Sequence, residues 1–416
     1  MKKIAILTNF KSFNPSYSLC SIVLDQAEML YRKGHEVTIF VSHLNTENPF
    51  PSLPIKIERK IEVPKLIDYQ SKKDLIPFHL SFISEFSKKL LRYIKNFDII
   101  FTHDWIFTGW NLPYAACLME IAEDTRDKQF YHWIHSIPSK HKDWWILDAY
   151  GVKNHHIVYP NGIDAQNVAI KFRAHISHVE PIPHIKDLRS WFNFGETSRM
   201  LIDKIPGLLQ STFVQIYPAS TDRLTAKRVD RVIKIFGQLK KLGFSCNLLI
   251  VNQWATKRQK REEIKPLLLW AKRVGLNKDE IHFTSQFKEI ENGVTKRTLR
   301  ELFLCSNVFI YPTRDETFGL VGPEACLSGP KIVVLNGSLE LMREVHGDLG
   351  AYENFGAFNV REPEDCNTAK THKKIAQMIV DKFQSESSVA LATYHRIKYN
   401  MDSIYQNFYK RIIERG

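Results

Sequence analysis

Two glutamates eight positions apart, Glu316 and Glu324, frame the run Tyr311-Pro312-Thr313-Arg314-Asp315-Glu316-Thr317-Phe318-Gly319-Leu320-Val321-Gly322-Pro323-Glu324. The pattern predicts a strand ending at Tyr311, a turn containing Gly319, and a helix starting near Leu320 with Pro323 in its first turn. Carboxylates only accept hydrogen bonds when ionised, and a two-oxygen acceptor suits the vicinal diol of a ribose or a sugar ring. Unsatisfied backbone N–H groups at a helix start add a grip on anions or hydroxyls. With one glutamate before the turn and the other in the opening turns of the helix, both can line one site and address different parts of a ligand. Two glutamates taken alone are equally accounted for by a helix cap and a solvated helix residue.

Other metal or thiol chemistry finds little footing. The six cysteines, Cys20, Cys117, Cys246, Cys305, Cys326 and Cys366, never form a C-x-x-C pair. A disulfide framework and a thiolate zinc site are therefore not expected, and a reducing, cytoplasmic setting is. No D-x-D occurs, because Asp124 and Asp127 are one position too far apart. The E-x-E pairs Glu289/Glu291 and Glu362/Glu364 fall in expected loops and read as solvated residues.

The elements that would hold these residues alternate. Apolar runs at 4–8, 37–41, 98–101 and 130–134 read as strands, with helical spacing at 19–32, 78–95 and 110–123 between them. A second series of strands at 213–217, 247–251, 281–284, 308–311 and 332–334 is separated by helical stretches at 228–242, 259–274, 298–305 and 320–328. Strands and helices alternating at this spacing predict parallel, doubly wound sheets with right-handed crossovers. The stretch 165–210 has weak periodicity and reads as a linker and entry to a second domain. The expected fold is α/β, with two Rossmann-like domains over 1–165 and 166–390 facing a cleft. A helix at about 390–416 would pack back on the first domain. In such sheets ligands sit beyond the carboxyl ends of the strands.

With 44% hydrophobic and 25% charged residues the composition is that of a globular chain, and no window approaches a membrane span. The basic N-terminal run is too short in its apolar part for a secretory signal. The net charge of +13 is uneven: Arg223 to Arg300 holds 19 basic and 7 acidic residues. Such a field favours a polyanionic partner, whether nucleotide phosphates, nucleic acid or an anionic membrane surface.

The E-x-F-G-x-x-x-x-E run after Tyr311-Pro312 resembles the E-x7-E signature of the retaining GT-B glycosyltransferases of family 4. Asp98-Ile99-Ile100-Phe101-Thr102-His103-Asp104-Trp105 resembles that family's strand end with H-D-W. His132-Trp133-Ile134-His135-Ser136-Ile137-Pro138 resembles its strand ending in a histidine, and Tyr159-Pro160-Asn161-Gly162-Ile163-Asp164 its P-N-G-x-D turn. Arg223 and Lys227, before Val229-Asp230 and an amphipathic helix, resemble its R-x4-K phosphate-binding pair, although here they are four apart and Arg228 stands where the family has a glycine. The loop after the first strand, 9–18, lacks the usual glycine pair, and Val251-Asn252-Gln253 replaces a glycine-rich turn.

The resemblance implies a GT-B fold and metal-independent sugar transfer from a nucleotide-diphosphate sugar, with no cofactor required. Arg223 and Lys227 would stabilise charge on the departing diphosphate. Glu316, Phe318, Gly319 and Leu320 would hold the donor sugar and Glu324 the nucleotide ribose. His135 would reach the donor sugar, and His103 and Asp104 would line the acceptor side. The acceptor would be a hydroxyl of a glycan, lipid or small molecule. The basic segment, with Trp254 and Trp270 among Lys257, Arg258, Lys260, Arg261, Lys272 and Arg273, suggests as an alternative a hydroxylated pyrimidine in DNA. For Trp270, a place in the core of an amphipathic helix is the expectation. A non-catalytic polyanion-binding protein on a transferase scaffold is the third reading.

Overall fold

A computed structural model describes residues 1–64, 69, 72–106, 111–135, 153–357 and 366–415. Ser136-Ile137-Pro138 of the histidine motif and the Glu362/Glu364 pair lie outside the described residues. The chain divides into two compact units, Met1–Asp187 with Tyr399–Gly416, and Leu188–Lys398.

The N-terminal unit is built on seven parallel strands: β1 (Lys3–Leu7), β2 (Glu36–Ser42), β3 (Lys56–Ile61), β4 (Ile99–His103), β5 (Gln129–Trp133), β6 (His155–Tyr159) and β7 (Val179–Pro181). Their order across the sheet is β3-β2-β1-β4-β5-β6-β7. β1 and β4 lie side by side, with Ile4–Leu7 paired to Ile99–Thr102. The order reverses there, so the loops after β1 and β4 diverge to opposite halves of the sheet and leave a crevice at the carboxyl edge. Apolar layers cover both faces. One includes helix Ser18–Arg32 and the C-terminal residues Met401, Ile404, Tyr405, Tyr409, Ile412 and Ile413. Tyr131 donates to the carbonyl of Ile412 at 2.9 Å, and Arg411 and Arg415 both reach the buried carboxylate of Glu180. These bonds tie the chain's end to the sheet of its first half.

The stretch 165–210, expected as a linker, is structured. It supplies helix Ala165–Phe172 and edge strand β7 to the first unit, then helices Leu188–Trp191, Glu196–Lys204 and Gly207–Gln210 to the second. Elements this short carry too few apolar positions to show a period. β3, β6 and β7 were not expected either, because β3 is largely polar (Lys-Ile-Glu-Arg-Lys-Ile) and β6 opens on two histidines.

The second unit contains β8 (Phe213–Pro218), β9 (Cys246–Val251), β10 (Ile281–Phe283), β11 (Val308–Tyr311), β12 (Ile332–Asn336) and β13 (Ala351–Glu353). Backbone ladders join them as two parallel three-stranded sheets, β10-β9-β8 and β11-β12-β13. The seam between β8 and β11 is closed by side chains. The fully buried carboxamide of Gln215 donates to the carbonyl of Ile310 at 2.8 Å and accepts from its N–H at 3.0 Å. Asn307 bonds Val214 in both directions nearby, donating its backbone N–H to the Val214 carbonyl and accepting the Val214 N–H on its side-chain Oδ1. The resulting order, 10-9-8-11-12-13, repeats the reversal seen in the first unit.

Helix Val229–Lys241 covers this sheet with Val229, Val232, Ile233, Ile235, Phe236 and Leu239 buried. Gly237 lets helix Lys265–Val274 approach: a Cβ there would meet Val274 Cβ at 2.6 Å and its carbonyl oxygen at 2.9 Å.

Replacing Gln215 by Leu leaves a buried N–H and C=O without partners at the seam. We expect a loss of about 2–4 kcal/mol, seen as a lower melting transition for the C-terminal unit, with the N-terminal unit's transition unmoved.

Candidate active site

In both units the candidate residues lie beyond the carboxyl ends of strands: Arg223 and Lys227 after β8, Glu316 after β11, His103 and Asp104 at the end of β4, and His135 after β5. In the C-terminal unit, β8 leads into a tight turn over Thr221–Arg223, and the N–H of Lys227 bonds the carbonyl of Arg223 at 2.8 Å. That single helical turn puts Arg223 and Lys227 on one side. β11 leads to Glu316 five residues beyond Tyr311, and the two loops are stitched by Arg314 N–H to the Ala226 carbonyl at 2.8 Å.

The side chains then pair across the reversal. The Lys227 ammonium bonds Glu316 Oε1, and the Arg223 guanidinium bonds Asp315 Oδ1. The first pair is withdrawn from water, with side-chain exposures of 9% and 10%, whereas Arg223 and Asp315 are each more than 40% exposed. Glu316 Oε1 also accepts from Tyr311 OH at 2.7 Å and Thr313 Oγ1 at 3.3 Å. Burial raises the Glu316 carboxyl pKa, but the hydrogen bonds from Lys227 and Tyr311 outweigh it and hold the group below the usual carboxylate range. Burial and the adjacent Glu316 carboxylate push the Tyr311 phenol far up, so it remains a donor. Tyr217 fixes Lys227 from below, donating to its carbonyl at 2.6 Å.

Gly319 is necessary to this arrangement. Its φ is +80°, and a Cβ would lie 3.3 Å from Tyr311 OH and 3.6 Å from Glu316 Cγ. Phe318 and Leu320 beside it are exposed. Glu324 is not part of the cluster. It sits on helix Val321–Leu327 and lines a 530 Å³ pocket with Lys296, Arg300, Leu299, Phe303 and Leu327.

Arg228, which occupies the family's glycine position, adopts φ +51° and ψ +47°, the left-handed conformation for which glycine is the default. Its guanidinium is buried and bonds the carbonyls of Phe355 and Gly356. Those bonds offset the backbone cost of a large residue there. Asn252, in place of a glycine-rich turn, is buried and bonds Thr221 Oγ1 and Ser285 Oγ, each at 2.9 Å. The loop after β9 is thereby tied to the loop carrying Arg223.

In the N-terminal unit, His103 ends β4, Asp104 follows with φ +58°, and His135 lies two residues past β5. They are brought together: His103 Nδ1 and His135 Nε2 are 2.8 Å apart, and Asp104 Oδ1 accepts the His135 backbone N–H at 2.9 Å. Burial drives the His103 pKa down to about 3 and His135 well below the usual range, so both rings are neutral at physiological pH. Burial raises Asp104 to about 6, against the opposing pull of the His135 N–H. In the glycine-free loop after β1, Asn9 bonds Asn111, which in turn donates to the Asp104 carbonyl at 3.0 Å.

Sequence reasoning missed Tyr311 and Asp315 as partners of the cations and Thr313 as a donor to Glu316, and it missed Gln26 and His184 as neighbours of the histidines with Tyr409 behind Gln26. The first three lie inside the recognised motif and could have been found there. The others come from distant segments and leave no local signal. Trp270 is a correction: it is 40% exposed rather than a core residue. Lys234 Nζ and Arg273 Cζ sit 4.9 and 5.2 Å from its ring centroid, and lysine and arginine stems need a flat apolar surface to lie on. Among the described residues no group of three or more His, Cys, Asp or Glu is placed to hold a metal, and no helix is long and apolar enough to cross a membrane.

The fold and these sites define an α/β protein of two Rossmann-like units with polar clusters at the carboxyl edges of their sheets. Residues 21–150 match the family model of Glycosyltransferase Family 4, and the enzyme class is that of a glycosyltransferase. No curated protein matches the chain. Among solved structures, a glycosyltransferase from Rickettsia africae is similar at 14% identity and TM-score 0.36, covering 100% of this chain and 99% of its own. Anabaena HepE, solved with UDP and glucose, is similar at 14% identity and TM-score 0.33 over 100% of both chains. A UDP-forming trehalose-phosphate synthase from Burkholderia xenovorans shares 14% identity at TM-score 0.35, covering 99% and 98%.

Two outcomes test the clusters. Glu316→Ala strands a buried ammonium and is expected to destabilise the C-terminal unit by about 3–5 kcal/mol. The double variant Lys227→Met/Glu316→Leu should recover most of that loss, as read from melting curves. For Asp104, the folded-state pKa of about 6 lies above the unfolded value of 3.8. The native state therefore holds this proton more tightly, and its stability falls as pH rises from 4 to 6. Asp104→Asn removes that slope. The variant should gain on the wild type by up to about 3 kcal/mol between pH 4 and pH 7, and a difference flat in pH would refute the assignment.

Proposed function

We propose that the protein is a metal-independent, retaining glycosyltransferase that moves a sugar from a nucleotide-diphosphate donor to a hydroxyl acceptor. The observation that carries this reading is the Lys227–Glu316–Tyr311 cluster, with Arg223–Asp315 at its rim, at the strand-order reversal of the C-terminal unit. Cleavage of a sugar–diphosphate bond builds negative charge on the leaving group. Two cations fixed by short loops stabilise that charge without reorganising. Each cation is neutralised by its own acid before donor arrives, so a diphosphate exchanges one anion for another instead of desolvating a bare cation.

Once the diphosphate takes Lys227 and Arg223, the Glu316 carboxylate is free to accept from sugar hydroxyls. Gly319, Phe318 and Leu320 present backbone and an exposed apolar surface beside it. Glu324 supports the nucleoside: its carboxylate faces a pocket with an apolar wall of Leu299, Phe303 and Leu327, a fitting environment for a ribose and base. In the N-terminal unit, neutral His135 and the poised Asp104 supply hydrogen-bonding groups for ligand hydroxyls, and His103, both of whose ring nitrogens are already bonded, stands behind them. Retention of anomeric configuration follows from the family resemblance. The departing phosphate takes the acceptor proton, so this scheme requires no separate base.

A second acceptor class has one observation in its favour. Lys257, Arg258, Lys260, Arg261, Lys265, Lys272 and Arg273 are all exposed, and Trp254 beside them is 68% exposed with φ +51°. This face suits a nucleic-acid backbone, with Trp254 available for stacking. Trp270 is less available, since two cations already lie against its ring. The acceptor under this reading is a hydroxymethylated pyrimidine.

A panel of UDP-, GDP-, ADP- and TDP-sugars should contain at least one donor that raises the melting temperature of the C-terminal unit, with the effect lost in Arg223→Ala/Lys227→Met. Mass spectrometry of glycan, lipid and hydroxymethylated-DNA acceptors with that donor would then show one hexose or pentose increment. A panel without a stabilising donor would overturn the proposal.

A further inference from the structure

Behind His135 the N-terminal unit contains a hydrogen-bonded chain whose further members, Gln26 and Tyr409, have no part in the sugar-transfer scheme above. Tyr409, in the C-terminal segment, receives a hydrogen bond from Gln26 Nε2 at 2.8 Å. Gln26 lies on helix Ser18–Arg32 and is fully buried. Its Oε1 is 3.0 Å from His103 Nε2, and His103 Nδ1 is 2.8 Å from His135 Nε2. The chain therefore joins residues 26, 103, 135 and 409, from four separate segments of one unit. At its end, His135 Nδ1 is buried and has no hydrogen-bond partner among the described residues.

The geometry assigns a direction to this chain. An amide oxygen can only accept, so His103 Nε2 carries the hydrogen bonded to Gln26 Oε1. A neutral imidazole has one N–H, which makes His103 Nδ1 the acceptor and His135 Nε2 the donor. His135 Nδ1 is then a lone pair. An unpaired buried acceptor is also less costly than an unpaired buried N–H donor. We propose that Tyr409, Gln26 and His103 are positioning residues that hold His135 as its Nε2–H tautomer, so that Nδ1 is presented as an acceptor for a ligand hydroxyl. This rests on the sugar-transfer reading for the identity of the ligand but not for the tautomer.

The surroundings support a fixed neutral ring. His103 lies nearly parallel to Trp133, with centroids 5.5 Å apart. His135 also has the ring of His184 near it, with centroids 5.1 Å apart and the planes 19° from parallel. Asp104 holds the His135 backbone N–H and so fixes where the ring starts. A cation is disfavoured among these three clustered imidazoles: burial depresses all three, and the neighbouring rings depress His103 and His135 further. The ring therefore serves hydroxyl orientation by accepting a hydrogen bond.

The test is nitrogen NMR of the full chain with ¹⁵N-labelled histidine, the His135 signals being assigned with His135→Gln. In the wild type at pH 7, His135 should show a protonated Nε2 and an unprotonated Nδ1. Gln26→Leu should abolish that preference and give a mixture of tautomers, and Tyr409→Phe should weaken it. Gln26→Glu, whose carboxylate can only accept from His103, should retain it. A wild-type His135 protonated on Nδ1, or an unchanged tautomer in Gln26→Leu, would overturn the proposal. These readouts need no donor, so they stand even if the transferase reading fails. With the donor identified by the stabilisation panel, Gln26→Leu should lower kcat/KM about tenfold, the loss expected for one misdirected hydrogen bond, and Gln26→Glu should restore it. Equal kcat/KM in the wild type and Gln26→Leu would also overturn it.

Discussion

The Lys227–Glu316 pair is the interaction on which the C-terminal site depends. Either charge buried alone would be costly, and the attraction between them offsets their desolvation only because further groups complete the shell. Tyr311 and Thr313 donate to the same carboxylate oxygen, and Tyr217 anchors the lysine's own backbone. The consequence is geometric. The loop after β8 and the loop after β11 are locked to each other across the reversal of strand order, and the turn that follows needs glycine at 319 because its φ is +80° and a Cβ would press on the Tyr311 hydroxyl at 3.3 Å. Arg223 and Asp315 repeat the pairing nearer to solvent, where screening leaves an ion pair worth little. The outer pair is thus readily opened and the inner pair holds the frame.

That frame is only as firm as the sheet beneath it. No backbone ladder joins β8 to β11, and the two half-sheets meet through the amide of Gln215 and through the side chain and backbone N–H of Asn307. Buried amides at such a seam specify register, because only one alignment satisfies both the N–H and the C=O of Ile310. The positions of Arg223, Lys227 and Glu316 follow from it, since all three hang from the ends of these two strands.

The N-terminal unit solves a different problem with a different device. Its polar cluster is made of imidazoles, which burial keeps neutral, together with a carboxyl group that titrates near neutral pH. Neutral rings can be both donor and acceptor, so hydrogen bonds rather than charges set their orientation. The C-terminal residues 401–413 matter here because Tyr409 reaches the cluster through Gln26, making the end of the chain part of the site built by its first half.

Much of this was legible in the sequence because it is written in local pattern. The alternation of apolar strands and amphipathic helices gave the α/β class, and the strand-end positions of His103, His135, Lys227 and Glu316 follow from the same periodicities. The family resemblance rested on short runs of adjacent residues, which a sequence displays directly. What the sequence hid was non-local. The polar strand β3 and the histidine-led β6 carry no period; β3 exists because it pairs along β2 at the edge of the sheet, and β6 because it is buried between β5 and β7. Nothing near Arg228 announces that the carbonyls of Phe355 and Gly356 would hold a side chain in a glycine conformation. Nothing near residue 26 announces His103 or Tyr409. A sequence determines which elements form and which residues stand at their ends, since those depend on neighbours a few positions away. The tertiary structure decides which charges are paired, which protons are held and which lone pairs are left open, since those depend on groups brought together from hundreds of residues apart.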